Sequence, residues 1–154
     1  MIAILADYQQ QIVPILQTHG GTIDKFMGDG IMVTFGAALQ TETFAADALR
    51  AVDDRMRGAD DWNAGRIARG EPELRVGAAG DESRLEYRVI GDAVNLAAKL
   101  EKATKDQKVL AHPTRETYET ALVQGYTPLD TMDQRADQAV DGVDAPMDLV
   151  VLTA

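Results

Sequence analysis

No cysteine occurs among the 154 residues. Disulfides, thiolate nucleophiles and cysteine-ligated zinc are therefore excluded. Histidine is nearly as scarce: His19 and His112 are the only two and stand far apart in sequence, so a histidine metal site is not expected. Positive charge is also short. Lys and Arg number 15 against 25 Asp and Glu, which gives a formal net charge of −10. Such a surface repels nucleic acid and anionic membranes unless a local basic patch overrides it. The nearest approach to one is Lys99, Lys102, Lys105 and Lys108, which read as a solvated helix face and its exit. A transcription factor is disfavoured on the same grounds, because no basic recognition helix is present. No uninterrupted apolar run is long enough to span a bilayer. The first residues, Met1 to Asp7, carry neither a basic leader nor a secretory pattern. A cytoplasmic location and no direct membrane contact are expected, with any anchor outside this chain.

What is present suits a soluble globular domain: 45% hydrophobic and 26% charged residues, enough to bury a core without a staple. The length predicts one domain over residues 1–154. Ile2, Leu5, Ile12, Val13, Ile15 and Leu16 recur at helical spacing, so a first helix is predicted through about Gln17, with Pro14 inside it and Gly20-Gly21 ending it. Thr22 to Met27 and Ile31 to Phe35 read as two strands around Gly28-Asp29-Gly30, where Asp-Gly signals a tight hairpin turn of positive φ. Thr41 to about Arg69 is helical, with Gly58 and Gly65 expected to weaken it and to divide it in two. Leu74 to Ala79 and Leu85 to Ile90 read as strands. A helix opens at Gly91-Asp92, with Asp92 as N-cap, and runs to about Ala103. Val109-Leu110 suggests a short strand, and Pro113 starts a helix to about Leu122. Tyr126 to Leu129 and Met147 to Leu152 are strand-like, and the polar Asp130 to Asp144 between them carries no clear shape. Helices alternating with strands and a hairpin predict an α+β sandwich, a mostly antiparallel sheet covered by helices.

Two segments carry chemistry. In the first, Gly20 to Phe35, Asp29 stands at a hairpin tip with Lys25 four residues earlier. Asp29 could hold a cation there or serve only as a turn former, since Asp-Gly turns are common. In the second, Leu85 to Glu101, a strand runs into a helix on which Asp92, Asn95 and Lys99 form one polar stripe. Ala93, Val94, Leu96, Ala97 and Leu100 supply its buried side. An amide and a cation one turn apart can both reach one anionic group. A plain amphipathic helix with a solvated face would show the same pattern.

Together the two segments resemble the class III adenylyl/guanylyl cyclase family. Lys25-Phe-Met-Gly-Asp-Gly30 resembles its K-F-x-G-D-G hairpin signature. Glu86-Tyr-Arg-Val-Ile-Gly-Asp-Ala-Val-Asn-Leu-Ala-Ala-Lys-Leu-Glu101 resembles its E-Y-x-V-I-G-D-x-V-N-x-A-x-[RK]-L-E signature. Both are long and stand in the family's order. Ala45 to Leu49 and the Arg69-Gly-Glu-Pro72 turn also fit, and the likeness weakens after about Thr114. The resemblance implies a ferredoxin-like fold and conversion of ATP to 3′,5′-cyclic AMP and pyrophosphate in intracellular signal transduction. It implies a homodimer that shares the active site and two divalent cations, Mg²⁺ or Mn²⁺. It also implies an upstream sensor or regulatory domain outside this chain. Asp29 matches a metal-binding aspartate. Lys25 matches the base-contacting position, where lysine goes with adenine, and Arg88 matches its neighbour. Asn95 matches the asparagine that positions the ribose. Lys99 falls where many members carry an arginine at the α-phosphate.

The chain departs from that pattern in four places. Arg88 is a donor only, where the family has Thr or Asp as acceptors. Asp141-Gly142 stands where the family often has a phosphate-binding Lys-Gly pair, so the sign is reversed. The family's first strand, with the other metal aspartate, has no counterpart here. An extra strand of on the order of ten residues is expected between Ala79 and Gly80, and the sequence jumps directly. Those departures leave a second expectation beside the cyclase: a catalytically degenerate homology domain that dimerises or senses nucleotide. An unrelated ferredoxin-like binding domain would require both long matches to be accidental. Trp62 reads as a packing anchor, His19 as a helix-end residue and His112 as a loop residue.

Overall fold

The computed structural model describes residues 2–69, 78–80, 92–107, 109, 111–129 and 132–151. It divides into two compact units, Met1–Val76 and Gly77–Ala154. Among the described residues, no helix is long and apolar enough to cross a membrane.

The first unit runs α1 (Ile2–Thr18), β1 (Thr22–Met27), β2 (Gly30–Thr34) and α2 (Phe44–Ala68). Helix α1 ends where glycine allows it to. Gly20 takes φ +80°, its N–H donates to Gln17 O at 3.0 Å, and Gly21 N–H donates to Leu16 O at 3.0 Å. That pair of bonds is the Schellman ending, which a left-handed glycine makes inexpensive. Tyr8, Ile12 and Leu16 of α1 then bury against Ala51 of α2, with Ile23, Ile31, Val33 and Phe35 of the hairpin packed around them. Each such large side chain contributes about 1.5–3 kcal/mol when fully buried. Trp62 is a packing residue as expected. Its ring lies 5.5 Å from that of Tyr8, its Nε1 donates to Asp7 at 2.7 Å, and Arg66 sits 4.9 Å over its face.

The predicted break in the second helix does not occur: α2 runs unbroken through Gly58 and Gly65. A side chain at Gly58 would stand 2.6 Å from Ile15 Cδ1. The glycine therefore lets α1 approach α2, and tertiary packing overrides a weak local preference. His19 closes the same helix pair through a 2.8 Å contact with Asp54.

The second unit runs β3 (Ala78–Gly80), α3 (Asp92–Gln107), β4 (Ala111–Pro113), α4 (Arg115–Val123), β5 (Asp133–Gln138) and β6 (Met147–Val151). β3 pairs parallel with β4, and β5 pairs antiparallel with β6. A bridge between Thr114 and Leu149 joins β4 to β6. The expected α+β class is thus observed, with one parallel pair. Strand β3 passes straight through the Ala79–Gly80 junction. Leu100, Val140 and Leu149 form one buried core cluster, flanked by Leu96, Ala103, Val143 and Met147. Helix α4 is capped by Thr114, whose Oγ1 accepts from Thr117 N–H at 3.2 Å.

Several expectations shift. α3 continues to Gln107 rather than stopping near Ala103, and β4 begins at Ala111. Tyr126 to Leu129 is not a strand, whereas the shapeless acidic stretch contains β5. His112 is not a loop residue: it lies fully buried in β4. The strand expected over Leu85 to Ile90 lies outside the described residues, as does most of the one expected over Leu74 to Ala79.

Candidate active site

In the first unit, β1 and β2 form a hairpin in which Phe26 faces Ile31 and Met27 faces Gly30. The two-residue loop is therefore Gly28-Asp29, one position earlier than Asp29-Gly30. Gly28 alone in the loop takes positive φ, +64°. A positive φ at the first loop residue only suits a II′ turn rather than I′, which needs both. Asp29 thus occupies the second loop position, exposed, with Gly28 absorbing the unusual backbone.

A register shift sets which face of the hairpin Lys25 takes. Ile23 faces Val33 but Lys25 faces Met32, so Asp24 is an extra residue in β1. Ile31, Val33 and Phe35 alternate onto the face that meets α1. Without the extra residue Lys25 would oppose Ile31 and share that face; with it, Lys25 takes the other. Lys25 and Asp29 are both exposed, on one hairpin.

In the second unit, Asn95 and Lys99 lie one turn apart on α3. Leu96, Leu100 and Ala103 turn the adjacent stripe into the core. Asn95 is exposed and Lys99 half-buried. Lys99 is not simply solvated: its Nζ donates to the carbonyl of Gly142. One turn on, Lys102 Nζ donates to Asp141 Oδ2 at 2.6 Å. That hydrogen bond and its charge hold the Lys102 ammonium above the ordinary lysine value. The bond from Lys102, with its charge and that of Lys99, holds the Asp141 carboxyl below the ordinary range. The sequence shows the reversed sign at Asp141 but not these ties. They join residues about forty positions apart, and no local pattern encodes them.

Asp92 heads α3, and Arg88 lies outside the described residues. Among the described residues no three His, Asp or Glu side chains gather into a metal-holding group. Asp29 is a single hard oxygen donor. That suits a cation such as Mg²⁺, which takes one or two carboxylates and fills its remaining positions with water and substrate phosphates.

No family model matches the chain. Adenylate cyclase 1 of Rhizobium meliloti (strain 1021) is 32% identical over 120 residues, covering 69% of this chain and 18% of that protein. The terminal-differentiation specific adenylate cyclase of Dictyostelium discoideum is 32% identical over 115 residues, covering 69% of this chain and 5% of that protein. The crystal structure of the guanylyl cyclase Cya2 superposes with a TM-score of 0.72 at 26% identity, over 97% of this chain and 78% of that one. The adenylyl cyclase CyaB from P. aeruginosa gives 0.76 at 24% identity, over 99% of this chain and 82% of that one. The chain belongs to the class III adenylyl/guanylyl cyclase family. As a cyclase domain it spans less than a fifth of the two curated relatives' length. Its structural neighbours include both an adenylyl and a guanylyl enzyme, so base preference must be argued from this cyclase domain's own residues.

Proposed function

We propose that this cyclase domain converts ATP to 3′,5′-cyclic AMP and pyrophosphate as the cytoplasmic catalytic part of a dimeric signalling protein. The ribose 3′-oxygen attacks the α-phosphorus and loses its proton. The bond from that phosphorus to the bridging oxygen breaks, and pyrophosphate leaves. The observation that supports this reading most is the hairpin. Its bulge turns Lys25 away from the core face while its loop lifts Asp29 into solvent.

Lys25 donates to an adenine ring nitrogen; guanine presents a protonated nitrogen and an amine at the matching edge, which a cation cannot satisfy. Asp29 would supply a carboxylate to one of two divalent cations. Bound cations of this kind polarise the attacking hydroxyl and neutralise phosphate charge. Asn95 orients the ribose through its amide. Lys99 meets the charge that grows on the α-phosphate, as a point charge without arginine's fork.

The test uses the full-length protein with ATP and Mn²⁺ and measures cyclic AMP by mass spectrometry. Turnover that disappears in Asp29→Ala and shifts toward GTP in Lys25→Glu is expected. A folded protein that makes no cyclic AMP would reject the proposal. A second reading, a nucleotide-sensing module without turnover, is favoured by the acidic Asp141 where a phosphate-binding lysine is usual. Nucleotide binding that is indifferent to Asp29→Ala, with no product, would select it.

A further inference from the structure

The two lysines on the polar stripe of α3 already have an occupant. Lys99 donates to the main-chain carbonyl of Gly142, and Lys102 pairs with Asp141 at 2.6 Å. Both partners belong to one turn, residues 140–143, closed by Val143 N–H to Val140 O at 3.0 Å. Val140 and Val143 anchor that turn in the core beside Leu100. The turn is therefore fixed against α3 by apolar packing, and its polar tip falls on the lysines.

Its backbone is built for that contact. Gly142 takes φ +78°, a conformation side chains resist. An added Cβ there would stand 3.2 Å from Lys99 Cε and 3.8 Å from its Cδ. The lysine stem thus lies across the face that glycine leaves bare. Two cations, one carboxylate and one carbonyl meet at this turn, and each lysine points its ammonium at oxygen.

We propose that the Asp141-Gly142 turn is an internal latch: it occupies Lys99 and Lys102 with its own oxygens, and a polyphosphate chain gains Lys99 only by displacing it. This rests on the assignment of Lys99 to the phosphates. The exchange is of like for like, since phosphate oxygens offer the ammonium groups more negative charge than one carbonyl and one carboxylate do. Exposed ion pairs are weak, so the latch opens at small cost. It lowers the affinity for the anion without preventing binding, and its carboxylate offsets part of the positive charge of the two lysines.

The experiment compares the full-length protein with its Asp141→Asn and Asp144→Asn variants. Asp144 is exposed and makes no ion pair or hydrogen bond among the described residues, so it controls for the change in net charge. Titration with ATP and Ca²⁺ by calorimetry should show Asp141→Asn binding about two- to five-fold tighter, the range that an exposed pair allows. Asp144→Asn should match the unaltered protein. Equal affinity in all three, or an equal gain in both variants, overturns the latch.

Amine acetylation read by mass spectrometry supplies an arm free of nucleotide. Relative to Lys25, Lys102 should acetylate about two- to five-fold faster in Asp141→Asn than in the unaltered protein. An unchanged ratio overturns the latch. If no variant binds nucleotide while the ratio still rises, the cyclase assignment of Lys99 fails. The displacement claim fails with it, and the tie between turn and helix stands.

Discussion

Substituting Gly20 and Gly21 separately by alanine should divide two reasons for glycine at the end of α1. Gly20 has φ +80° and open space, with nothing within 4 Å of an added Cβ. Its cost is conformational, about 1–2 kcal/mol for a left-handed residue. About 0.4–1 kcal/mol of that is returned because alanine also restricts the unfolded chain. Gly21 needs no positive φ, but its Cβ would meet Leu16 O at 2.7 Å, Val33 Cγ1 at 2.8 Å and Phe35 Cζ at 3.0 Å. The oxygen cannot yield freely, because it accepts the Gly21 N–H that ends the helix. The side chains cannot yield freely either, because they pack against α1 and α2. Overpacking of this kind costs about 1–3 kcal/mol, with the same unfolded-chain return. Three contacts at or under 3.0 Å, one of them to backbone, place Gly21→Ala at the upper end of its range, so it should be the more damaging change by about 1 kcal/mol, or about 2–4 °C in Tm for a chain of this size. Thermal and urea unfolding of the two variants measure the difference directly. β1 starts at Thr22, paired with Thr34, so the Gly21 change should also disturb the hairpin that carries Lys25 and Asp29. A Gly21→Ala protein as stable as Gly20→Ala would refute the packing argument, and with it the view that close approach, not turn conformation, sets the hairpin against α1.

Acid should weaken the second unit through His112. The residue is fully buried and neither ring nitrogen has a hydrogen-bond partner. Burial first, and Arg135 second, hold it below the ordinary histidine value. The unfolded chain therefore binds the proton more readily, so stability is full above about pH 6.5 and falls as the pH drops below it toward the lowered folded value. Urea midpoints at pH 7 and pH 5 should differ less in His112→Gln than in the unaltered chain; with His19 kept in both, an equal difference would show that His112 does not titrate on unfolding. Thr114→Ala should remove the cap of α4 and cost about 1 kcal/mol by denaturant unfolding, and Thr114→Ser should restore most of it. Equal loss in both would mean that the Oγ1 bond to Thr117 contributes nothing.

The parts of this fold that sequence could reveal are those written in adjacent residues. α1 and its glycine ending, the hairpin around Gly28-Asp29-Gly30, the α3 stripe and the apolar β6 all follow from spacing a few residues long. What escaped depends on partners far along the chain. Gly58 reads as a helix breaker until Ile15 is seen against it. β5, Asp-Gln-Arg-Ala-Asp-Gln, has no apolar alternation and exists because β6 gives its backbone a ladder. His112 reads as a loop residue beside a proline until the neighbouring strand Ala78–Gly80 pairs with it. The candidate site divides along the same line. Which residue types stand at Lys25, Asp29, Asn95 and Lys99 was legible from their motifs. That Lys25 leaves the core face was not, because the alternation fails at Asp24 and only the pairing with β2 shows where it resumes. Nor could the motif show that Lys99 is held. A lysine on a helical stripe looks the same whether it faces water or a carbonyl 43 residues away. The reversed charge at Asp141 was visible as a departure from the phosphate-binding pattern; its contact with Lys102 shows what that carboxylate does in the folded chain. Where a lysine would have added a cation, Asp141 instead occupies one. Under the proposed latch, affinity for a phosphate chain would be set by competition within the second unit as well as by the number of positive charges it presents.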